Sequence, residues 1–188
     1  MGAAVRLPPN EREYRDTVGL FSTGVAVIVA NIDGEVFAMT VNAVASLSLS
    51  PKLIMFAPGK HTRFAQRIGE LKHYSINVLR SEQQALSTYF AGGWQEAAPP
   101  PFRFVAAGET LRLEGCLACI ECSSVQHLEI GDHWLVIGQV QGLHRGIEPH
   151  SPLLFFKGRY RDMDFRYGTP APDLAEAHDV PAHIYYPT

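Results

Sequence analysis

The 188-residue chain has no apolar run long enough to cross a bilayer; the longest, Val25 to Ala30, has the length of a strand. Its first residues, MGAAVRLPPNERE, lack the hydrophobic stretch of a secretory signal, and Arg6 stands where a myristoylation motif expects Ser or Thr. A cytoplasmic location without membrane association is therefore expected. Positive charge is not in excess: the formal net charge is −3, which argues against a nucleic-acid protein. Cysteine is scarce. The three present, Cys116, Cys119 and Cys122, do not suggest a disulfide framework, because an odd number cannot pair off. Gly-x-Gly-x-x-Gly, Walker A and Gly-x-Ser-x-Gly patterns are all missing, so a nicotinamide, if used, is not held by a Rossmann unit. The eight histidines show no His-Glu-x-x-His spacing, which leaves hydrolytic metal chemistry unsupported.

What is present suits one globular domain. Hydrophobic residues make up 46% and charged residues 19% of the chain, too apolar for disorder. Residues 1–10 read as an N-terminal arm, 11–167 as the domain, and 168–188, with four prolines and little periodicity, as an extended tail. Asn10 followed by Glu13 is a capping box, predicting a helix over 11–21 with Tyr14, Val18 and Phe21 facing inward. Residues 24–30 read as a buried strand, Asp33-Gly34 as a hairpin turn, and 36–40 as the return strand. Further strands are expected over 52–57, 73–79, 133–143 and 153–156, with one long strand or two short ones over 111–127. Short helices are expected over 62–68, with Phe64, Ala65 and Ile68 inward, and over 82–91, where Ser81 and Gln84 form a capping pattern. Residues 92–101, ending in three prolines, form a loop that covers or borders a site. Many strands and few helices indicate a mainly β fold: a barrel decorated by short peripheral helices.

Four groups of residues bear on chemistry. Thr40, Asn42, Ser46 and Ser48 fall on one face of an extended chain between two apolar strands, where hydroxyls and amides need partners. Those partners are either the protein itself or a planar ligand with a polar edge. Residues 58–63, PGKHTR, run from a strand end into a helix start and offer Lys60, Thr62 and Arg63 to a phosphate; the alternative is an N-capping Thr62 with solvated basic neighbours. Cys116, Cys119 and Cys122 have the spacing of a metal motif, but on a strand Cys119 points away from the other two, and no fourth cysteine follows at ferredoxin spacing. Gly131-Asp132-His133 precedes an apolar strand, with His133 either structural or catalytic.

Together these segments carry a resemblance. FSTGVAVI at 21–28, AMTVNA at 38–43, Ser46-Leu47-Ser48, Pro51-Lys52-Leu53, YSINVL at 74–79, Leu86-Ser87 with Phe90-Ala91, Gly131-Asp132-His133 and PLLFFKGRY at 152–160 resemble the flavin reductase domain with the FMN-binding split β-barrel fold. The match spans about residues 11–162. It implies an enzyme, an NAD(P)H:flavin oxidoreductase that passes a hydride from NADH or NADPH to FMN or FAD and supplies reduced flavin to a partner monooxygenase. It also implies a homodimer. The resemblance places Thr40, Val41, Asn42, Ala43 and Val44 along the flavin ring, with Ser46 close by. Ala57, Lys60 and Thr62 would lie at the phosphate, and Phe90 and Ala91 would border the flavin. His133 would stand near the nicotinamide as the catalytic residue, and Arg159 and Tyr160 would help hold the pyridine nucleotide. No metal is implied. Ala57-Pro58 departs from the family, whose members often carry Ser or Asn there. The alternatives are a non-enzymatic flavin-binding electron carrier or sensor, and a split-barrel protein of the pyridoxamine-phosphate-oxidase or haem-binding type. A purely structural barrel would leave the polar residues of 40–48 unexplained.

Overall fold

A computed structural model of the chain describes residues 8–146 and 150–163. Most of the N-terminal arm and the whole of the tail over 168–188 lie outside the described residues. Helix α1 (Glu11–Val18) starts at the expected capping box: the Asn10 side chain accepts from the Glu13 N–H, and the Glu13 carboxylate accepts from the Asn10 N–H, both at 2.9 Å. The inward stripe is not found. Tyr14, Val18 and Phe21 are 61%, 42% and 75% exposed, because none of the described residues covers that face.

After β1 (Thr23–Gly24), strand β2 (Ala26–Ile32) pairs antiparallel with β3 (Glu35–Val41). Asp33 (φ 52°) and Gly34 (φ 85°) form the turn, the left-handed pair that a two-residue hairpin requires. Strand β2 is apolar on both faces and buried on both. Ala26, Ile28, Ala30 and Ile32 point into one cluster with Phe56, Tyr74 and Val136; Val27 and Val29 point into a second with Leu79, Leu86 and Leu113.

Next come β4 (Val44–Leu49), β5 (Lys52–Phe56), the one-turn helix α2 (Arg63–Gln66) and β6 (His73–Val78). Phe64, Ala65 and Ile68 are buried as the spacing predicts. The helix expected over 62–68 is shorter, because Arg67 (φ −109°) breaks it and Ile68–Glu70 continue as a 3-10 turn. A second 3-10 turn, Ser81–Gln83, leads into α3 (Gln84–Phe90), and the capping side chain is Gln83, which accepts from the Arg80 N–H at 2.9 Å, rather than the Ser81–Gln84 pair. Strands β7 (Phe104–Ala107) and β8 (Thr110–Leu113) form a separate hairpin. The segment read as one long strand or two is thus two, split at 114–117, where Gly115 (φ 71°) turns the chain before β9 (Ala118–Ile130). Strands β10 (His133–Arg145), β11 (Leu154–Phe156) and β12 (Arg159–Arg161) complete the described fold.

The main sheet has seven strands in the order β3-β2-β6-β9-β10-β5-β4, all antiparallel neighbours. Its two edges, β3 and β4, are joined by only Asn42 and Ala43. A flat seven-stranded sheet would hold its edges about 29 Å apart. Two linking residues reach only about 11 Å between Val41 and Val44. The sheet must therefore curl until its edges meet at that end, giving a barrel with an open seam. Bulges between β9 and β10, at Ile137/Gly138 and Val140/Gly142, add the twist that curling needs.

The cysteines belong to this core. Cys119 and Cys122 lie on opposite faces of β9, as strand alternation requires. Cys116 precedes the strand, and its thiol stands against Asn77. Among the described residues no helix is long and apolar enough to cross a membrane.

Candidate active site

One large cleft, of about 880 Å³, opens beside the barrel seam. Its floor is the edge strand β3, from Val36 to Thr40. One wall is the end of α3, with Tyr89, Phe90 and Ala91, continued by Trp94 and Glu96 of the following loop and by Phe102 and Phe104. The opposite rim is His61, Thr62, Arg63 and Phe64. The wall is aromatic and braced: Phe90 meets Phe102 with ring centroids 5.0 Å apart, and Trp94 Nε1 donates to the Ala98 carbonyl at 2.8 Å, pinning the proline-rich loop. The loop expected to cover or border a site lines this cleft through Gly92, Trp94 and Glu96.

Thr40 is the floor residue with a polar side chain. Its hydroxyl donates to the Ser87 carbonyl at 2.7 Å, and the same carbonyl accepts the Ala91 N–H at 3.0 Å. Ser87 is fully buried, and its own hydroxyl lies 2.9 Å from the Tyr160 hydroxyl.

The polar face expected over 40–48 does not form. The chain leaves β3 at Asn42, crosses to the other edge of the sheet, and carries a bulge between Ser46 and Ser48, so the two-residue alternation is interrupted twice. Asn42, Ala43 and Ser46 are exposed, while Val41 is buried in the barrel. The link is nonetheless fixed, because the Ala57 N–H donates to the Ala43 carbonyl at 3.1 Å. Residues 41–44 and Ala57 therefore meet at the seam.

The segment after β5 is clamped by the β9–β10 turn. The Lys60 N–H donates to the Asp132 carbonyl at 3.0 Å, and the Trp134 N–H to the Pro58 carbonyl at 2.9 Å. This brings His133 to Gly59: a Cβ built on Gly59 would lie 2.8 Å from His61 Cε1 and 3.8 Å from His133 Nε2. A side chain at Gly59 would push the His61 ring aside and would touch the His133 ring at ordinary contact distance. His133 Nδ1 lies 2.7 Å from the Asp132 carboxylate, and that hydrogen bond holds the Asp132 carboxyl below its ordinary range. Such a partner fixes the imidazole tautomer and leaves Nε2 as the reactive nitrogen.

Two groups expected at a phosphate are engaged within the chain. Lys60 Nζ pairs with Glu129. The Thr62 hydroxyl donates to the Gly59 carbonyl at 2.8 Å and accepts the Ala65 N–H at 3.2 Å, the N-cap reading. His61 and Arg63 are the basic side chains that line the cleft; Arg63 also pairs with Glu35 at 3.2 Å, an exposed contact on the rim. Sequence reasoning passed over His61, Tyr89, Trp94, Glu96 and Phe102; a lone histidine beside Lys60 and the aromatics around the proline run were the available signals.

Arg159 and Tyr160 are adjacent strand residues and face opposite sides, Arg159 exposed and Tyr160 turned to α3. The structure does not bring them onto one surface with His133.

A flavin fits this donor set. The cleft size is that of a site for an organic cofactor, the aromatic wall suits a planar ring, and an edge strand has unpaired backbone groups for a polar ring edge. The fold and cleft thus define a class: a mainly β, seamed barrel with a ring-binding cleft at its open edge. Residues 18–164 match the family model described as "Flavin reductase like domain", and the chain belongs to that family. It is 32% identical over 177 residues to the reductase subunit HsaB of a flavin-dependent monooxygenase from Rhodococcus jostii, covering 91% of this chain and 87% of that one. It is 33% identical over 163 residues to the NADH-dependent flavin reductase StyB of Pseudomonas fluorescens, covering 85% and 90%. Among solved structures, flavin reductase PheA2 superposes with a TM-score of 0.78 at 35% identity, over 83% of this chain and 99% of that one. The NADH:FAD oxidoreductase SgcE6 of Streptomyces globisporus superposes with a TM-score of 0.75 at 28% identity, over 87% and 99%.

Proposed function

We propose that this chain is the reductase component of a two-component flavin-dependent monooxygenase, oxidising NADH or NADPH, reducing FMN or FAD and handing reduced flavin to a separate oxygenase. The chain is an NAD(P)H-dependent flavin reductase, an oxidoreductase of the split-barrel family. The observation that carries this reading is the cleft, in which Thr40, Thr62 and the Phe90–Ala91 pair come together from three parts of the chain. The relatives named above are such reductases over nearly their whole length.

A bound flavin would supply the redox chemistry, as the acceptor of a hydride from the nicotinamide. The chain supplies placement. The aromatic wall excludes water and stacks a ring. The backbone at Asn42 to Val44, with Ser46, lies at the seam to hydrogen-bond the ring edge and stabilise negative charge that develops there. His61 and Arg63 face the cleft to meet a phosphate, with Lys60 and Thr62 shaping the loop behind them. His133, oriented by Asp132, orients the nicotinamide carboxamide or supplies a proton through Nε2. Arg159, exposed on β12, is the remaining candidate for a contact to the pyridine nucleotide.

We further propose a homodimer and a cytoplasmic setting. Exposed apolar side chains on α1 (Tyr14, Val18), on β4 (Leu47, Leu49) and on β9 (Val125, Ile130) support a second copy covering surface that one chain leaves open.

The test is steady-state oxidation of NADH and of NADPH with riboflavin, FMN and FAD added in turn. Turnover that depends on added flavin is expected. Flavin binding without oxidation of either nicotinamide would favour a carrier or sensor. His133→Ala is expected to lower turnover with nicotinamide at least about tenfold, within the usual worth of one general acid–base group or less, while flavin binding stays within about twofold. Equal turnover would remove His133 from the mechanism.

A further inference from the structure

We propose that Ser87 and Tyr160 are positioning residues of the flavin cleft, so that Tyr160 serves flavin binding rather than touching the nicotinamide. This rests on the flavin-reductase reading given above.

Ser87 is the point where three parts of the site meet. Its carbonyl accepts the Thr40 hydroxyl from the cleft floor at 2.7 Å and the Ala91 N–H from the cleft wall at 3.0 Å. A carbonyl oxygen has two lone pairs, and both are used. Its hydroxyl lies 2.9 Å from the Tyr160 hydroxyl. The residue is fully buried, so neither group has water as a substitute partner.

Tyr160 is held from its own side as well. It pairs with Phe155 across the β11–β12 hairpin, and the two rings meet edge to face with centroids 5.5 Å apart. Strand β11 in turn pairs with β1. Beside the apolar packing of Leu86 and Phe90 with Phe155 and Tyr160, the small three-stranded sheet is tied to α3 by the Ser87–Tyr160 hydroxyl pair, and α3 to β3 by the Ser87 carbonyl. Phe90 and Ala91 stand three and four residues after Ser87, on the same side of the helix. A displacement of the hairpin passes through Tyr160 and Ser87 to the wall that borders the flavin.

The test compares wild type, Tyr160→Phe, Ser87→Ala and the double variant. FMN and FAD are titrated by flavin fluorescence without nicotinamide, and steady-state kinetics follow. Each single variant is expected to weaken flavin binding roughly three- to tenfold, the worth of about one net hydrogen bond, while KM for the nicotinamide changes less than about twofold. The double variant is expected to be no weaker than the weaker single, because both changes remove the same bond. Tyr160→Phe keeps the ring and its packing, so it decides the matter even if Ser87→Ala does not fold. Unchanged flavin affinity in Tyr160→Phe, a rise in nicotinamide KM alone, or single losses that multiply in the double variant would overturn the proposal. Wild-type protein that neither binds nor reduces flavin would instead overturn the functional reading beneath it.

Discussion

Tyr74 carries a hydroxyl that the barrel interior does not satisfy, and removing it should stabilise the protein. The side chain is fully buried, its ring edge-on to Phe56 with centroids 5.1 Å apart, and its oxygen meets no nitrogen or oxygen partner among the described residues, leaving a thiol as its weak polar contact. Its polar neighbour is the Cys122 thiol, and burial pushes the Tyr74 phenol well above its ordinary value, so it stays neutral. A buried hydroxyl left without a partner costs about 1–3 kcal/mol. Tyr74→Phe removes that cost and opens a void of roughly one oxygen atom, a loss of a few tenths of a kcal/mol. The net gain is about 1–2 kcal/mol, a rise in Tm of roughly 2–8 °C for a domain of this size. The hydroxyl sits in a cradle made by Gly138: a Cβ there would lie 2.1 Å from the Tyr74 oxygen and 2.8 Å from Cζ. Gly138→Ala alone should therefore cost about 1–3 kcal/mol or more through overpacking, and Tyr74→Phe should recover part of it. Thermal unfolding followed by circular dichroism on the four proteins reads all of this. A Tm for Tyr74→Phe below wild type by 2 °C or more would show that the hydroxyl has a partner and refute the reasoning. So would a Gly138→Ala penalty that is the same in both backgrounds.

The phosphate end of the cleft separates by ligand: His61→Gln and Arg63→Gln should each weaken FMN about fivefold relative to riboflavin, which has no phosphate, within the range of a charge-assisted contact. Lys60→Gln should leave that ratio within about twofold, because Lys60 does not line the cleft and pairs with Glu129 behind it; the reverse ranking would restore Lys60 as the phosphate ligand. Burial pushes the Cys119 and Cys122 thiols up to about 12 and raises Cys116 too, so a thiol reagent at pH 8 should leave the native protein unlabelled and label three sites in guanidinium. Unfolded thiols ionise near 9.0 while the folded ones keep their protons, so stability should fall as pH rises from about 9 to about 12. Rapid native labelling would contradict the burial.

Much of the fold was legible because it is periodic. The apolar run of β2, the Asp33-Gly34 turn and the Asn10–Glu13 capping box each state a local rule that the barrel obeys. The same periodicity misled at α1. Tyr14, Val18 and Phe21 do make an apolar stripe, but a stripe shows only that something covers it, and no part of the described chain does. The cleft was legible through the family resemblance, which pointed to Phe90 and Ala91 at the end of α3. It was not legible where two distant loops meet. Lys60 looked free beside a helix start, yet its partner Glu129 stands 69 residues away and arrives only because the β9–β10 turn clamps the Pro58–His61 segment. Ser46 and Ser48 looked like one polar face because alternation assumes an unbroken strand, and the bulge between them is a property of pairing with β5, not of their own sequence. Ser87 is the sharpest case. As a serine in a short helix it has no distinguishing spacing, and it becomes central only when β3 and β12 approach α3 from two sides. The functional weight of such a residue lies in three hydrogen bonds to Thr40, Ala91 and Tyr160, each to a different element or turn. Residues that join elements therefore emerge from the folded site, while residues that build elements emerge from the chain.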